Sequence, residues 1–237
     1  MSNSFTRARR ATGAPAAALR YAPWTRVAVC VLLLLCGGCQ LADAVRFSYG
    51  NAAATHSWTA PARETSLPFS LIDNHIVLPV RVNGSEPLNF VLDSGAAATV
   101  FIDSRATRAQ KLRFSGEITV SGVGDGPDPV AHIVRGSTFA LGSLEVRELP
   151  AILLPLESIP FFGELDDVYF DGVIGAPFFQ RFRVAIDYDL QLVTFSEPPS
   201  MEHGESPADN WQEIPLYIEN GLPYLGMTVS DRGGDAV

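Results

Sequence analysis

Cysteine is absent from all but one short stretch of this sequence. Its three cysteines lie within residues 30–39, so the chain that follows has no disulfide, no thiol nucleophile and no cysteine zinc site. Histidine is almost as scarce, because its four copies stand singly, without HxH or HxxxH spacing. No pattern therefore points to a metal centre or a Ser-His-Asp triad, and we expect neither a metal nor a cofactor.

Basic residues are also few, with 17 Lys+Arg against 26 Asp+Glu and a net charge of −9. Five basic residues precede the first acid, Asp43, which leaves 12 basic against 26 acidic residues in the remainder. A nucleic-acid binder needs a basic face to displace counterions, so we expect no nucleic-acid partner. A basic leader before an acidic body is typical of an export signal on a soluble domain.

The apolar run of the leader, Val27–Leu35, is short. Nine residues are too few for a membrane-spanning helix, which needs about 20, so residues 1–38 are predicted to be a signal peptide. The small residues before Cys39 resemble a bacterial lipobox, which implies a lipidated Cys39 and a periplasm-facing domain. By the same resemblance, Gln40 favours the outer over the inner membrane. The alternative is a plain secretory signal, cut near Ala42 or Ala44 and releasing the protein to the periplasm.

Composition divides the remaining chain into four parts. Residues 39–66, rich in Ala, Thr and Ser without a period, are predicted to be a tether. Residues 67–196 carry short apolar runs between turns and form the main domain. Residues 197–213 are a Pro- and Glu-containing linker, and residues 214–237 begin another strand unit.

The apolar runs of the main domain predict an all-β barrel or sandwich. Asn83-Gly84 between two of the runs is a hairpin signal. A single short helix is predicted over Ala176–Phe182, with Pro177 in its first turn. The predicted strands are Ile76–Val82, Leu88–Leu92, Glu117–Val120, Ile133–Phe139, Leu144–Leu149, Ala151–Leu154, Arg183–Asp187 and Leu192–Phe195.

Residues after the linker echo the start of the domain. A constant offset of 147 sets Leu67–Leu71 over Ile214–Ile218, which predicts the start of a second repeat lobe. The same offset carries Asp93 to position 240, three beyond Val237. Two alternatives stay open: unrelated strands that share a proline and alternation, and the start of a PDZ module with Tyr224–Met227 as its carboxylate loop.

The stretch from Leu88 to Ala96 is the most specific feature of the chain. The apolar strand Leu88–Leu92 runs directly into Asp93, Ser94, Gly95 and Ala96. Such a strand places Asp93 at a turn on a rigid element, where Gly95 permits a tight backbone and Ser94 can bond the loop in place. The alternative is an aspartate that only caps a turn.

A second motif, Val173-Ile174-Gly175, opens the short helix about 80 residues later. Together the two motifs resemble those of the retropepsin-like aspartic proteases, over roughly residues 67–196. The resemblance implies a closed β-barrel with one short helix after the Ile-Gly motif. It also implies a catalytic Asp93, an active-site loop supported by its neighbours, and a peptide or protein substrate.

The family also places a glycine-containing flap between the two motifs. The segment from Val120 to Asp128 is the candidate for it, and its alternative is a mobile surface turn. No Gly-Lys-Ser/Thr follows, and the prolines block a helix, so neither a phosphate loop nor a dinucleotide site fits. The candidate flap glycines are Gly122, Gly124 and Gly126.

Aspartic protease chemistry needs two carboxylates that share one proton, and this sequence has one Asp-Ser-Gly. The partner carboxylate is expected from a second copy in a homodimer or from a second lobe, so the 237-residue chain should be inactive as a monomer. Otherwise the second acid must be sought among Asp103, Asp125, Asp128 and Asp171. The chain is interpreted as a membrane-tethered aspartic endopeptidase, and the alternative is a catalytically silent peptide-binding barrel.

Overall fold

The structure is a computed structural model that describes residues 41–121, 128–155, 169–198, 212–219 and 221–228. The chain divides into two compact units between Cys39 and Gln40. Every described residue belongs to the second unit.

Short strands make up most of the described chain. Helix α1 is described over residues 41–53, α2 is Arg105–Ala109 and α3 is Ala176–Phe179. The strands are β1 (Thr55–Trp58), β2 (Glu64–Pro68), β3 (Ser70–Ile72), β4 (His75–Val82), β5 (Leu88–Leu92), β6 (Val100–Ile102), β7 (Phe114–Thr119), β8 (Val130–Leu141), β9 (Leu144–Leu154), β10 (Gly172–Ile174), β11 (Arg183–Asp187), β12 (Leu192–Ser196), β13 (Tyr217–Glu219) and β14 (Leu222–Tyr224).

Nine of these strands form one sheet in the order β1-β9-β6-β10-β5-β4-β8-β7, with β3 paired to β4. Strand β8 pairs with both β4 and β9, so the pairings from β9 through β5 to β8 return to β9. Strand β10 runs parallel to β5 and antiparallel to β6. A second sheet has the order β11-β12-β2. The all-β class predicted from the sequence is confirmed.

Local sequence patterns predicted seven of the eleven described strands from β2 to β12, although two of the predicted strands form the single strand β9. Strands β5 and β11 have the predicted bounds. The turn after β4 places Asn83 and Gly84 at φ of 51° and 78°, the left-handed region that Asn and Gly tolerate best. Helix α3 ends at Phe179, three residues before the predicted end, because Gln180 already caps it.

The predicted tether, residues 39–66, is wrong over its described part. Residues 41–53 are helical, β1 pairs with β9, and β2 begins at Glu64. Helix α1 and α2 also add to the single helix expected from sequence. Within the described residues, no helix combines the length and apolarity needed to span a bilayer.

The predicted linker likewise begins inside the folded domain. Glu197 Oε1 accepts hydrogen bonds from Trp58 Nε1 at 2.7 Å and pairs with His56 Nε2 at 2.9 Å. Its backbone N–H donates to Arg63 O at 3.3 Å. Residues 199–211 of the predicted linker lie outside the described residues.

Two apolar clusters fill the domain, and strand β5 contributes to both. The first cluster takes Phe90 and Leu92, and the second takes Val91, as the two-residue alternation of a strand requires. Phe90 meets Phe101 and Phe139 edge-on, with ring centroids 5.8 and 6.0 Å apart. Each such pair adds about 0.5–1.5 kcal/mol beyond the burial of area, so β5 is firmly held.

The hairpin β13–β14 repeats the hairpin β3–β4 in register. Ser70 pairs with Val77 and Leu71 with Ile76 in the first hairpin. Tyr217 pairs with Tyr224 and Ile218 with Pro223 in the second, each 147 residues later. The offset of 147 residues found in the sequence is therefore also present in the strand pairing. Of this second strand unit, the structure describes residues 212–219 and 221–228.

Candidate active site

The Asp93 carboxylate lies at the carboxyl end of β5, on an exposed turn. Its backbone N–H donates to Ile174 O at 3.0 Å, and Ala96 N–H donates to Asp93 O at 3.3 Å. Asp93 Oδ1 accepts a hydrogen bond from Gly95 N–H at 2.8 Å. Ser94, predicted to bond the loop in place, is exposed. The loop is closed by backbone N–H groups, so the carboxylate is oriented and still open to solvent.

Gly175 fixes the position of the loop that carries Asp93. Ala176 N–H donates to Ala96 O at 2.7 Å. A Cβ on Gly175 would lie 2.5 Å from Ala96 O and closer still to Ala98 O. Because both are backbone atoms, neither can withdraw unless the loop moves, so this close approach requires glycine. The second motif thus presses directly on the loop that carries Asp93.

The face of the sheet that carries Asp93 is apolar. Leu92 points into the first cluster, so alternation places the next residue, Asp93, on the face of Val91 and the second cluster. Val173 and Ala98 are partly buried against that second cluster. An exposed carboxylate therefore shares this face of the sheet with partly exposed apolar side chains.

The base of the candidate flap packs against the second apolar cluster, which lies on the face of Asp93. Val120 packs against the second cluster, and its N–H donates to Pro129 O at 2.9 Å. Ser121 Oγ donates to Asp128 Oδ2 at 2.8 Å. These bonds close the β7–β8 hairpin below its tip. Outside the described residues lie the tip and its three candidate glycines, Gly122, Gly124 and Gly126.

Asp103 is engaged in an ion pair. Its carboxylate accepts two hydrogen bonds from the Arg108 guanidinium, both of 2.7 Å. The hydrogen bond with Arg108 lowers the pKa of Asp103; burial opposes this, and the charge of Arg108 adds to it. The adjoining helix α2 is capped by Ser104, whose Oγ accepts from Thr107 N–H at 3.1 Å.

Asp171 is hydrogen-bonded to the start of β5, the end opposite Asp93. Its Oδ2 accepts from Asn89 N–H at 2.9 Å, and its Oδ1 accepts from Ser104 Oγ at 2.6 Å. Asp171 N–H donates to Asn89 O at 2.6 Å. The sequence pattern offered Asp171 only as a possible second acid and did not predict this role. The available signal was an acid placed directly before a Gly-apolar-apolar-Gly run.

No second acid joins Asp93 within the part of the chain that the structure describes. There, no hydrogen bond or ion pair links Asp93 to another carboxylate. Asp125 lies outside the described residues, as does the lipidation candidate Cys39. Among the described residues, no group of three or more His, Cys, Asp or Glu side chains is placed to hold a metal ion.

Comparison with known proteins places this site in context. Residues 78–178 match a family model described as aspartyl protease, and the matched span contains both the Asp93 loop and Val173–Gly175. No curated protein matches the chain.

Two solved structures are similar to parts of the chain. One is a retropepsin-like aspartic protease from Rickettsia conorii, with 17% identity and a TM-score of 0.36; the match covers 60% of this chain and 92% of that one. The other is the EIAV protease in complex with the inhibitor HBY-793, with 17% identity and a TM-score of 0.33. That match covers 47% of this chain and 90% of that one.

Proposed function

We propose that the protein is an aspartic endopeptidase in which Asp93 activates the attacking water. One observation carries the proposal: an exposed carboxylate at the end of a buried strand, on a loop that Gly175 fixes at backbone contact. The match of residues 78–178 to the aspartyl protease model supports it.

In this mechanism the two carboxylates have different roles. The ionised one takes a proton from a bound water, which attacks the peptide carbonyl, while the protonated one polarises that carbonyl. Two nearby carboxylates cannot both ionise, so they share one proton and divide these roles. Asp93 supplies one of the pair. The apolar face beside it, with Val173 and Ala98, binds the substrate chain.

The partner carboxylate comes from outside the described half-site. In the first route, two copies meet about a two-fold axis and each contributes Asp93; such isologous contacts are the commonest type of oligomer interface. The exposure of Asp93, Ser94 and Gly95 leaves this loop free for such a contact. In the second route, a second lobe supplies the acid, and the register shared by β3–β4 and β13–β14 supports it.

Peptide turnover by an Asp93→Asn variant tests the catalytic assignment. Asparagine keeps the shape and can still accept from Gly95 N–H, but it cannot ionise. We therefore expect hydrolysis of casein to be lost while the thermal midpoint stays within about 2 °C of the parent. Asp189→Asn, at an exposed hairpin position, is the matched control and should cleave normally.

Two results of this experiment would change the assignment. Cleavage by Asp93→Asn at the parental rate would show that Asp93 is not catalytic. Peptide binding by the parent without any turnover would favour the silent peptide-binding barrel instead.

The dependence of activity on concentration separates the routes to the second acid. For a weak homodimer, the rate should rise with the square of protein concentration at low dose. Mixing parent with excess Asp93→Asn chains should then suppress activity, because each mixed dimer holds one carboxylate. A constant specific activity from a monomer would contradict the homodimer route.

We also propose that the protein is a lipoprotein of the bacterial envelope, anchored through Cys39 and facing the periplasm. The basic leader, the short apolar run Val27–Leu35 and the small residues before Cys39 support the proposal. Labelling with radioactive palmitate should mark the parent and not Cys39→Ala. Persistent labelling of that variant would contradict the anchor, and release of an unlabelled parent into the periplasm would favour the plain secretory signal.

A further inference from the structure

Helix α1 exposes a stripe of large apolar side chains. Leu41, Val45 and Tyr49 are 69%, 44% and 74% exposed. They are spaced by four residues, which places them on one face of the helix. Ala52 continues the same face and is also exposed. We refer to Leu41, Val45 and Tyr49 as the apolar stripe.

The opposite face of α1 is attached to the domain, so the stripe cannot turn inward. Phe47 packs against the second apolar cluster. At the end of the helix, Arg181 donates hydrogen bonds from its guanidinium to Asn51 O and Pro177 O. Burial lowers the pKa of Arg181 from its ordinary value, although at neutral pH an arginine stays charged. Outward exposure of the stripe is therefore a fixed property of the fold.

The position of the stripe in the chain indicates what it faces. Only Gln40 separates Leu41 from Cys39, and two residues span at most about 7 Å. The apolar leader run Val27–Leu35 lies just upstream. Any membrane attachment through this leader or through Cys39 thus brings the start of α1 to the bilayer surface.

The chemistry of the stripe suits a lipid interface. Aliphatic side chains with a tyrosine are typical of helices that lie in the interfacial plane. Arg46, exposed at the edge of this face, is paired with Asp43 at 3.5 Å, and the domain as a whole is acidic. Contact with the membrane would therefore come from apolar burial and would depend little on anionic lipid or salt.

We propose that the apolar stripe docks on the bilayer surface and holds the domain in one orientation against the membrane. A lipidated Cys39 would hold the chain at the bilayer but would leave the domain free to rotate about this one point. The stripe supplies a second contact, which fixes the orientation of the domain. The proposal does not depend on the activity of Asp93. It shares the membrane location with the anchor proposal, so the test uses a chain without lipid.

The test measures partition of residues Gln40–Val237, the second compact unit of the chain, into phosphatidylcholine vesicles. This segment contains no cysteine, so Ala52→Cys provides a single site for an environment-sensitive fluorophore beside the stripe. On titration with vesicles we expect a blue shift at this site. A label at Leu190→Cys, in the β11–β12 turn, should show none.

Substitution of the stripe provides the decisive comparison. The triple variant Leu41→Gln, Val45→Gln, Tyr49→Gln should partition at least about tenfold more weakly, because burying one leucine-sized side chain corresponds to about a tenfold change. The double variant Ile186→Gln, Leu190→Gln changes exposed apolar residues elsewhere and should partition like the parent. Raising salt from about 0.05 to about 0.5 M should leave partition within about twofold.

Three results would overturn the proposal. They are no partition of the parent segment at about 5 mM lipid, a stripe variant that partitions equally well, and a dimer without vesicles that the stripe substitutions abolish. The last would assign the stripe to a second copy. Circular dichroism checks that the variants fold, and Leu41→Gln alone, at the start of the helix, serves if the triple variant does not.

Discussion

Gly175→Ala tests the physical basis of the second motif. The added Cβ would lie 2.5 Å from Ala96 O and closer to Ala98 O, well inside any real contact. The active-site loop must therefore move, which strains the packing and breaks the 2.7 Å bond from Ala176 N–H to Ala96 O. Overpacking costs about 1–3 kcal/mol and a lost hydrogen bond about 0.5–1.5 kcal/mol, so we expect a loss of about 2–4 kcal/mol.

Urea and thermal unfolding measure this loss directly. For a domain of this size, each kcal/mol lowers the thermal midpoint by about 2–4 °C, so Gly175→Ala should melt roughly 5–15 °C below the parent. If the protein is active, moving Asp93 by about 1 Å should also lower turnover by about a hundredfold. Gly226→Ala is the matched control, because its Cβ would meet nothing within 4 Å. A Gly175→Ala protein that unfolds like the parent would show that the close contact of Gly175 with the Asp93 loop does not fix the loop.

Three further substitutions test the surroundings of the site. Asp171→Ala removes the acceptor of the hydrogen bonds from Asn89 N–H in β5 and from Ser104 Oγ at the start of α2. It should lower the unfolding free energy by about 1–3 kcal/mol, and an unchanged urea midpoint would contradict this role of Asp171. The folded pKa of Asp103 is lowered by Arg108, so its stabilisation is present above the unfolded pKa near 4 and is lost as pH falls through the folded pKa. Asp103→Asn should therefore lose roughly 0.2–1 kcal/mol at neutral pH and differ less from the parent in acid; equal differences at both pH values would contradict this. Thr99 is fully buried, and its Oγ1 has no hydrogen-bond partner within the described residues. Thr99→Val should therefore raise the free energy of unfolding, measured by urea titration, by up to about 1 kcal/mol. A decrease of more than about 1 kcal/mol would show that the hydroxyl has a hydrogen-bond partner.

The sequence alone was sufficient where local pattern and tertiary environment agree. Strand β5 has its predicted bounds because a short, mostly apolar run is typical of a strand with side chains buried on both faces, and Leu88–Leu92 contributes to both clusters. The start of α3 was predicted because Pro177 suits a first helical turn. Asp93 was identified because it follows that strand directly.

The same reasoning failed where distant residues create the structure. In residues 41–53 the apolar side chains with regular four-residue spacing, Leu41, Val45 and Tyr49, face away from the domain. The helix is attached instead through Phe47, which packs on the second cluster, and through the guanidinium of Arg181. Strand β1 is stabilised by pairing with β9, about 90 residues away. Neither partner is visible in the local pattern, so both elements were predicted to be a tether.

The site shows the same division between local and long-range information. An apolar strand that ends in Asp-Ser-Gly is a local feature of the chain, so the sequence alone is enough to predict it. The parallel pairing of β10 with β5 sets the long-range contacts of the site. It brings Gly175 against the loop of Asp93, and it brings Asp171 into hydrogen-bond distance of the start of β5. Such a pairing joins residues about 80 positions apart, and its register depends on packing that no short segment specifies. Only the tertiary structure could therefore decide which residues support the carboxylate.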